Sequence, residues 1–297
     1  MTSPRTSRRR QFGDLLMVAP LALFLGTMVL VPLVIAVLSS VGMTTVAPGL
    51  TGEFTLQGFR EFFDPTKPSL AALWFTFKVT LVTTAISTGL GLALALFMRF
   101  RRIALGQVMS FLVKIPLFMP YLVTAFVFWV LLYPKGYIGI LTHKLLVEYL
   151  ALVEQAPALI SDPLGIGIIV CGSWMRFPYA FVIIHGLLQM IDPSYEEAAR
   201  TLGARTGRIV RRVYLPLVGY GLLSVALLNF LALFIAFSIP FVLGASWPQF
   251  LSVFIYVNAK DQGNWLAGYT ASVVYIVIAL AIATFYTRAL QRAKTHA

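Results

Sequence analysis

Charged residues are scarce in this sequence: Asp, Glu, Lys and Arg make up 11% of its 297 residues, against about a quarter in a soluble domain. With 59% hydrophobic residues and a mean hydropathy of +0.86, that shortage excludes an ordinary soluble domain and predicts an integral membrane protein. Cysteine is almost absent. The single Cys171 lies in an apolar run, so there is no disulfide framework and no CxxC pair for a metal or redox centre, and packing is its expected role. Histidine is equally sparse: His143, His185 and His296 are scattered, and no HExxH motif occurs. No GxxxxGK[ST] phosphate loop is present, so the chain does not itself hydrolyse ATP. No GxSxG elbow is present either, which argues against a hydrolase. Finally, no acid lies deep in a long apolar run, whereas a proton-coupled carrier usually needs a buried carboxylate relay.

Long apolar runs are what the sequence does have. They predict six membrane spans, from about Leu15 to Leu38, Leu70 to Met98, Val108 to Leu132, Leu164 to Met190, Leu215 to Leu243 and Leu266 to Tyr286. The expected class is therefore an all-α integral membrane protein: a basic arm over residues 1–14, a six-helix domain over 15–290 and a tail over 291–297. Residues 2–10 are expected to be disordered. The first run is too long for the core of a cleaved signal peptide and reads as a retained span. Pro116 and Pro120 should kink the third span. Leu141 to Val153, of mixed polarity and too short to cross, reads as an interfacial or lid helix. The small residues of Thr88 to Leu96 suit close helix approach.

The formal charge of +12 would suggest nucleic acid in a soluble protein, but here the cations are segregated between loops. Six spans place both termini on one side. That side collects the Lys and Arg residues at positions 5, 8, 9, 10, 99, 101, 102, 200, 205, 208, 211, 212, 288, 292 and 294, whereas the other receives only 60, 67, 135, 144 and 260. Such asymmetry places both termini in the cytoplasm and needs no nucleic acid to explain it.

Within the spans, Lys78 and Lys114 lie near enough to the ends to snorkel. Arg176 is deeper. It follows Gly172-Ser173-Trp174 and precedes Pro178, in a segment whose helix is easily broken, and a cation there should face a cavity or a partner rather than lipid. Arg176, Trp174 and Asn229 are the candidate substrate-path residues. The competing readings are an ion-pair or carbonyl contact for Arg176 and a helix-to-helix hydrogen bond for Asn229. His185 reads as helix packing.

The longest polar passage between apolar runs is DPSYEEAARTLGARTGRIVRRVYLP, Asp192 to Pro216. Asp192 suits an N-cap, Pro193 a first helical turn, Glu196 and Glu197 the positive end of the helix dipole, and Gly203 a stop. Tyr195, Ala198, Ala199 and Leu202 then form one apolar stripe at helical spacing.

Glu197-Ala198-Ala199, three residues, Gly203, nine residues, Val213, one residue and Leu215-Pro216 together resemble the EAA signature of permease subunits of binding-protein-dependent ABC importers, with Val213 in place of the usual Ile. The resemblance implies the type I importer permease fold and four partners: a second homologous permease, an ABC ATPase dimer, an extracytoplasmic solute-binding protein and the bilayer. It also implies a bacterial inner-membrane location. ATP and magnesium would be bound by the ATPase subunits, with no cofactor in this chain. The coupling contact with the ATPase would fall on Tyr195, Glu197, Ala198, Ala199, Leu202 and Gly203. Sugar permeases of the family tend to read IDGA at the glycine. Thr201-Leu202-Gly203-Ala204 instead resembles the branch handling polyamines, opines, phosphonates, iron or thiamine. Aromatics such as Trp129, Trp174, Tyr179 and Phe237 would hold a cation, but Arg176 in a path would repel one, so a solute with an anionic group is expected first, a polyamine second and a sugar third. A secondary transporter or channel of unrelated fold is the alternative.

Overall fold

The computed structural model describes residues 4–100, 106–244 and 247–294. Among the described residues the chain is helical, without strands. Its helices are α1 (Pro4–Ser40), α2 (Gln57–Phe62), α3 (Pro68–Phe100), α4 (Gly106–Lys114), α5 (Tyr121–Leu132), α6 (Tyr137–His143), α7 (Ile166–Gln189), α8 (Pro193–Thr201), α9 (Thr206–Ile209), α10 (Leu215–Phe234), α11 (Ser238–Leu243), α12 (Leu251–Tyr256) and α13 (Trp265–Lys294). π-helical turns extend α6 through Tyr149, join α9 to α10 over Val210–Tyr214, and extend α12 through Asp261. Six stretches are long and apolar enough to cross a membrane: Val18–Ser40, Pro68–Phe100, Tyr121–Tyr149, Ile166–Gln189, Thr206–Phe234 and Trp265–Arg288.

The chain divides into two compact units, residues 1–64 with 255–275 and residues 65–254 with 276–297. In the first, the buried Thr270 hydroxyl donates to the Ser40 carbonyl at 3.2 Å and ties the C-terminal end of α1 to α13. The second unit is built on α3 and α7. On α3, Ala72, Thr76, Thr80, Thr83, Ser87, Gly91 and Ala95 recur every three or four residues and are all buried, so one face is lined by small side chains. A Cβ on Gly91 would lie 2.6 Å from that of Ala180; only glycine permits this approach of the two helices.

Some of the hydroxyls buried in this face find partners inside the protein, while that of Thr80 has none among the described residues. Those of Thr76 and Thr83 donate to the carbonyls one turn back, at 2.8 and 2.7 Å. The Thr76 oxygen also accepts the Leu251 N–H at 2.7 Å, which fixes the start of α12. Two apolar clusters flank this contact. One gathers Phe75, Val79, Cys171, Met175, Ile239 and Leu243, so Cys171 is a packed core residue as expected. The other gathers Ala95, Phe181, Ile184, Leu188, Ile209, Tyr214 and Val218 around the ends nearest α8.

Several expectations are corrected. The expected disordered arm is helical from Pro4. The third apolar run is not one span over 108–132. It breaks between Phe118 and Tyr121, leaving the short apolar helix Gly106–Phe118 and a longer stretch from Tyr121 to Tyr149, because Pro116 and Pro120 both lack an N–H to continue the ladder. The expected lid helix begins earlier, at Tyr137, and ends at Tyr149. The fifth span stops at Phe234, and α11 is a separate helix after a break at 235–237. The helix around Arg176 is unbroken, with Pro178 accommodated inside α7. Arg101 and Arg102 lie outside the described residues.

Candidate functional site

The polar passage folds as its residues dictate. The Asp192 carboxylate accepts the Ser194 N–H at 2.8 Å, and Pro193 opens α8. Hydrogen bonds from the Ser194 backbone, and then from its side chain, hold the Asp192 carboxyl below its ordinary range, so the cap is ionised at neutral pH. At the other end, Gly203 adopts φ +76°. Its N–H donates to the Arg200 carbonyl and that of Ala204 to the Ala199 carbonyl, each at 2.9 Å; together these are the paired bonds of a Schellman stop.

The expected stripe is only partly correct. Tyr195 and Leu202 are exposed, Leu202 at 87%, as are Glu197 and Ala198. Ala199 instead turns inward and packs with Ala204 and Val213 against the cluster around Tyr214. The outward surface of α8 is thus Tyr195, Glu197, Ala198 and Leu202, bounded by Gly203, and no atom lies within 4 Å of where a Gly203 Cβ would sit.

Beneath α8 lies a network that the sequence reading missed. Glu196 accepts from Arg200 Nε and Nη2 through one oxygen, at 3.0 and 2.7 Å. Its other oxygen accepts the Tyr214 hydroxyl proton at 3.0 Å. Arg99, in the last turn of α3, donates Nε to the Tyr214 oxygen at 3.1 Å and Nη2 to the Ile191 carbonyl at 3.2 Å. The Glu196 and Arg200 pair, four residues apart on a helix, was readable. Arg99 and Tyr214 are 115 residues apart, and nothing local announces them.

A second arginine network lies between the spans. Arg176 on α7 donates Nε to Asn229 Oδ1 on α10 at 3.1 Å, Nη1 to the Tyr121 hydroxyl at 3.3 Å and Nη2 to the Leu228 carbonyl at 3.5 Å. Its guanidinium carbon stands 4.7 Å from the centre of the Tyr179 ring. Fully buried Asn229 passes the network on to α3 through Ser87 and Thr88, both at 3.4 Å. The structure therefore unites Arg176 with Asn229 and leaves Trp174 out, packed against Phe128 and Phe177. Among the described residues every partner of Arg176 is neutral: an amide oxygen, a phenol, a carbonyl and an aromatic ring. Tyr179, three residues on along the helix, was a findable partner, whereas Tyr121 was not. His185 stacks on Phe181 and bonds Gln189, in keeping with packing.

Apolar helices joined through a small-residue face and a capped helix displayed on a polar loop define a multi-helix membrane protein. The family described as "Binding-protein-dependent transport system inner membrane component" matches residues 85–296, and the chain belongs to it: it is a permease subunit of an ABC importer. It is 31% identical to the inner membrane ABC transporter permease protein YcjO of Escherichia coli (strain K12), over 90% of each chain. It is 25% identical, over 82% of this chain and 83% of the relative, to PhnU of Salmonella choleraesuis (strain SC-B67), provisionally named as a 2-aminoethylphosphonate transport system permease protein.

The fold is shared with solved importers. A chain of a bacterial ABC transporter involved in import of the acidic polysaccharide alginate superimposes with a TM-score of 0.77 at 16% identity, over 97% of this chain and 98% of that one. A chain of the MetNI methionine transporter, in an inward-facing conformation, gives 0.57 at 20% identity, over 75% and 94%. The type I importer permease architecture expected from the EAA-like spacing is the one observed.

Proposed function

We propose that this permease lines the path of a small organic solute bearing an anionic group, with Arg176 as the cation facing it. The carrying observation is that Arg176 is held by Asn229, Tyr121, Tyr179 and the Leu228 carbonyl and, among the described residues, is paired with no carboxylate. Neutral hydrogen bonds orient a guanidinium without cancelling its charge, and an uncancelled cation between membrane spans attracts an anion strongly. Tyr179, an aromatic face on which a cationic solute would rest, is already covered by the guanidinium. The name of PhnU, a relative assigned to a phosphonate system, points the same way.

In this reading both termini and the α8 loop lie in the bacterial cytoplasm, on the basic side. The outward surface of α8 seats on an ABC ATPase dimer that holds ATP and magnesium. A second permease completes the path, and an extracytoplasmic binding protein delivers the solute. ATP binding and hydrolysis then alternate the access of the path between the two sides.

The test is uptake by cells carrying the whole transporter against a panel of phosphonates, carboxylates, polyamines and sugars, with orientation checked in the same cells. Uptake confined to anionic members supports the proposal, and a simple cation or neutral sugar as the native solute overturns its charge argument. In a Cys171→Ser background, a cysteine at Ala156 should react with an impermeant thiol reagent from outside and one at Thr206 should not. Outside labelling of position 206 inverts the orientation.

A further inference from the structure

We propose that Tyr214 is a positioning residue: through its hydroxyl it locks α8 to the ends of α3 and α7, so that a push on α8 moves these membrane helices as one body. The inference rests on the reading of α8 as the ATPase contact. It adds how motion would leave that helix. α8 has no buried residue of its own, and apart from Ala199 it has little packing with which to drag anything. Its firm side-chain attachment is Glu196, whose side chain is 19% exposed and whose two oxygens are both engaged.

Tyr214 occupies the junction. It is 1% exposed, lies in the π-helical turn that opens α10, and meets the Phe100 ring edge to face at 5.4 Å. Its one hydroxyl donates to Glu196 and accepts from Arg99, and Arg99 in turn holds the Ile191 carbonyl beyond the end of α7. Three chain segments separated by up to 115 residues thus converge on one phenol oxygen. Glu196 lies between Arg99 and Arg200, so its charge strengthens each bond in the chain. Removal of the hydroxyl alone leaves a buried carboxylate oxygen and an Arg99 donor without their partner, while the ring still packs. The loss falls on the linkage rather than on the fold.

The experiment uses the assembled transporter in a Cys171→Ser background, with spin labels at Phe97→Cys on α3 and Ser194→Cys on α8, both exposed. The distance distribution between them is measured without nucleotide and after trapping with ATP and vanadate. With Tyr214 present, one narrow distribution should persist in both states, since the two helices move together. Tyr214→Phe should still bring down the ATPase and form the vanadate trap, but the trapped state should gain a second, broader population, enriched on the order of tenfold as expected for loss of one charge-assisted bond. Arg99→Lys, which keeps the charge but cannot reach both Tyr214 and Ile191, should do the same. An unchanged narrow distribution in Tyr214→Phe overturns the proposal, as does a distance that already shifts on trapping when Tyr214 is present. Failure of the ATPase to associate with the Tyr214-containing complex would instead overturn the reading of α8 itself.

Discussion

Two arginines organise this molecule, and they are held differently. Arg99 reaches a carboxylate through one tyrosine, and the network closes on itself at Glu196 and Arg200. Among the described residues, Arg176 is met by a side-chain amide, a phenol, a carbonyl and an aromatic face. The first network sets one carboxylate among two arginines, so part of its charge is balanced within it. The Arg176 network has no carboxylate among the described residues to balance its charge. The first network ties α8 to the end of α3, and the second joins α7 to α5, α10 and α3.

The comparison breaks most severely at the surface that the first network supports. Gly203 stands at φ +76° in open space, so Gly203→Asp introduces both a side chain where a partner would dock and a strained backbone. About 2 kcal/mol of lost docking predicts a fall in ATPase association on the order of thirtyfold, with uptake abolished, while about 1 kcal/mol of left-handed strain falls on the local fold. Membrane insertion should be normal, because the spans are untouched. Co-purification of the ATPase with the variant, compared with wild type, measures it; unchanged association would remove α8 from the interface.

The next effect sharpens the other half. If Arg176 meets an anionic solute, Arg176→Ala loses a charge-assisted contact worth about 1.5–3 kcal/mol, and uptake of the native solute should fall at least about tenfold while ATPase association is unaffected. Arg176→Lys keeps the charge but not the fork to Asn229 and Tyr121, and should retain an intermediate rate. Initial rates in whole cells decide this. Wild-type uptake by Arg176→Ala would return the residue to a purely structural role.

The sequence showed the α8 loop more completely than the surroundings of Arg176, for a physical reason. An N-cap, a first-turn proline and a glycine stop act over one or two turns, so Asp192, Pro193 and Gly203 can be read in order. The six apolar stretches are equally legible, since lipid allows no other backbone solution. Breaks inside apolar runs are less so. Ile235, Ala236 and Phe237 are all apolar and contain neither Gly nor Pro, yet the helix ends there. Near Pro116 and Pro120 a kink was visible, but the hydropathy on both sides is alike, so which half belonged to the longer stretch was not. For Arg176 the sequence showed a lone cation in an apolar run and no more. Its partners Tyr121 and Asn229 lie 55 and 53 residues away, and only the packing of α5, α7 and α10 brings them together.

The smallest effect concerns what holds the Arg176 network in place. The amide nitrogen of Asn229 has two acceptors on α3, Ser87 and Thr88, both at the long distance of 3.4 Å. Either alone can satisfy one of its protons. Thr88→Val preserves shape and helix packing while removing one acceptor, and Ser87→Ala removes the other with little change in volume. Each single variant should therefore cost no more than about 1 kcal/mol. The double variant leaves a fully buried amide donor without an acceptor and should cost about 1–3 kcal/mol, more than the sum of the singles. Thermal unfolding of the detergent-solubilised transporter measures the three variants. Because Asn229 also accepts from Arg176, the double variant should in addition lower solute uptake, whereas the singles should not. Strict additivity, with uptake unchanged, would mean that Asn229 is placed by apolar packing alone and that the α3 hydroxyls do not belong to the arginine network.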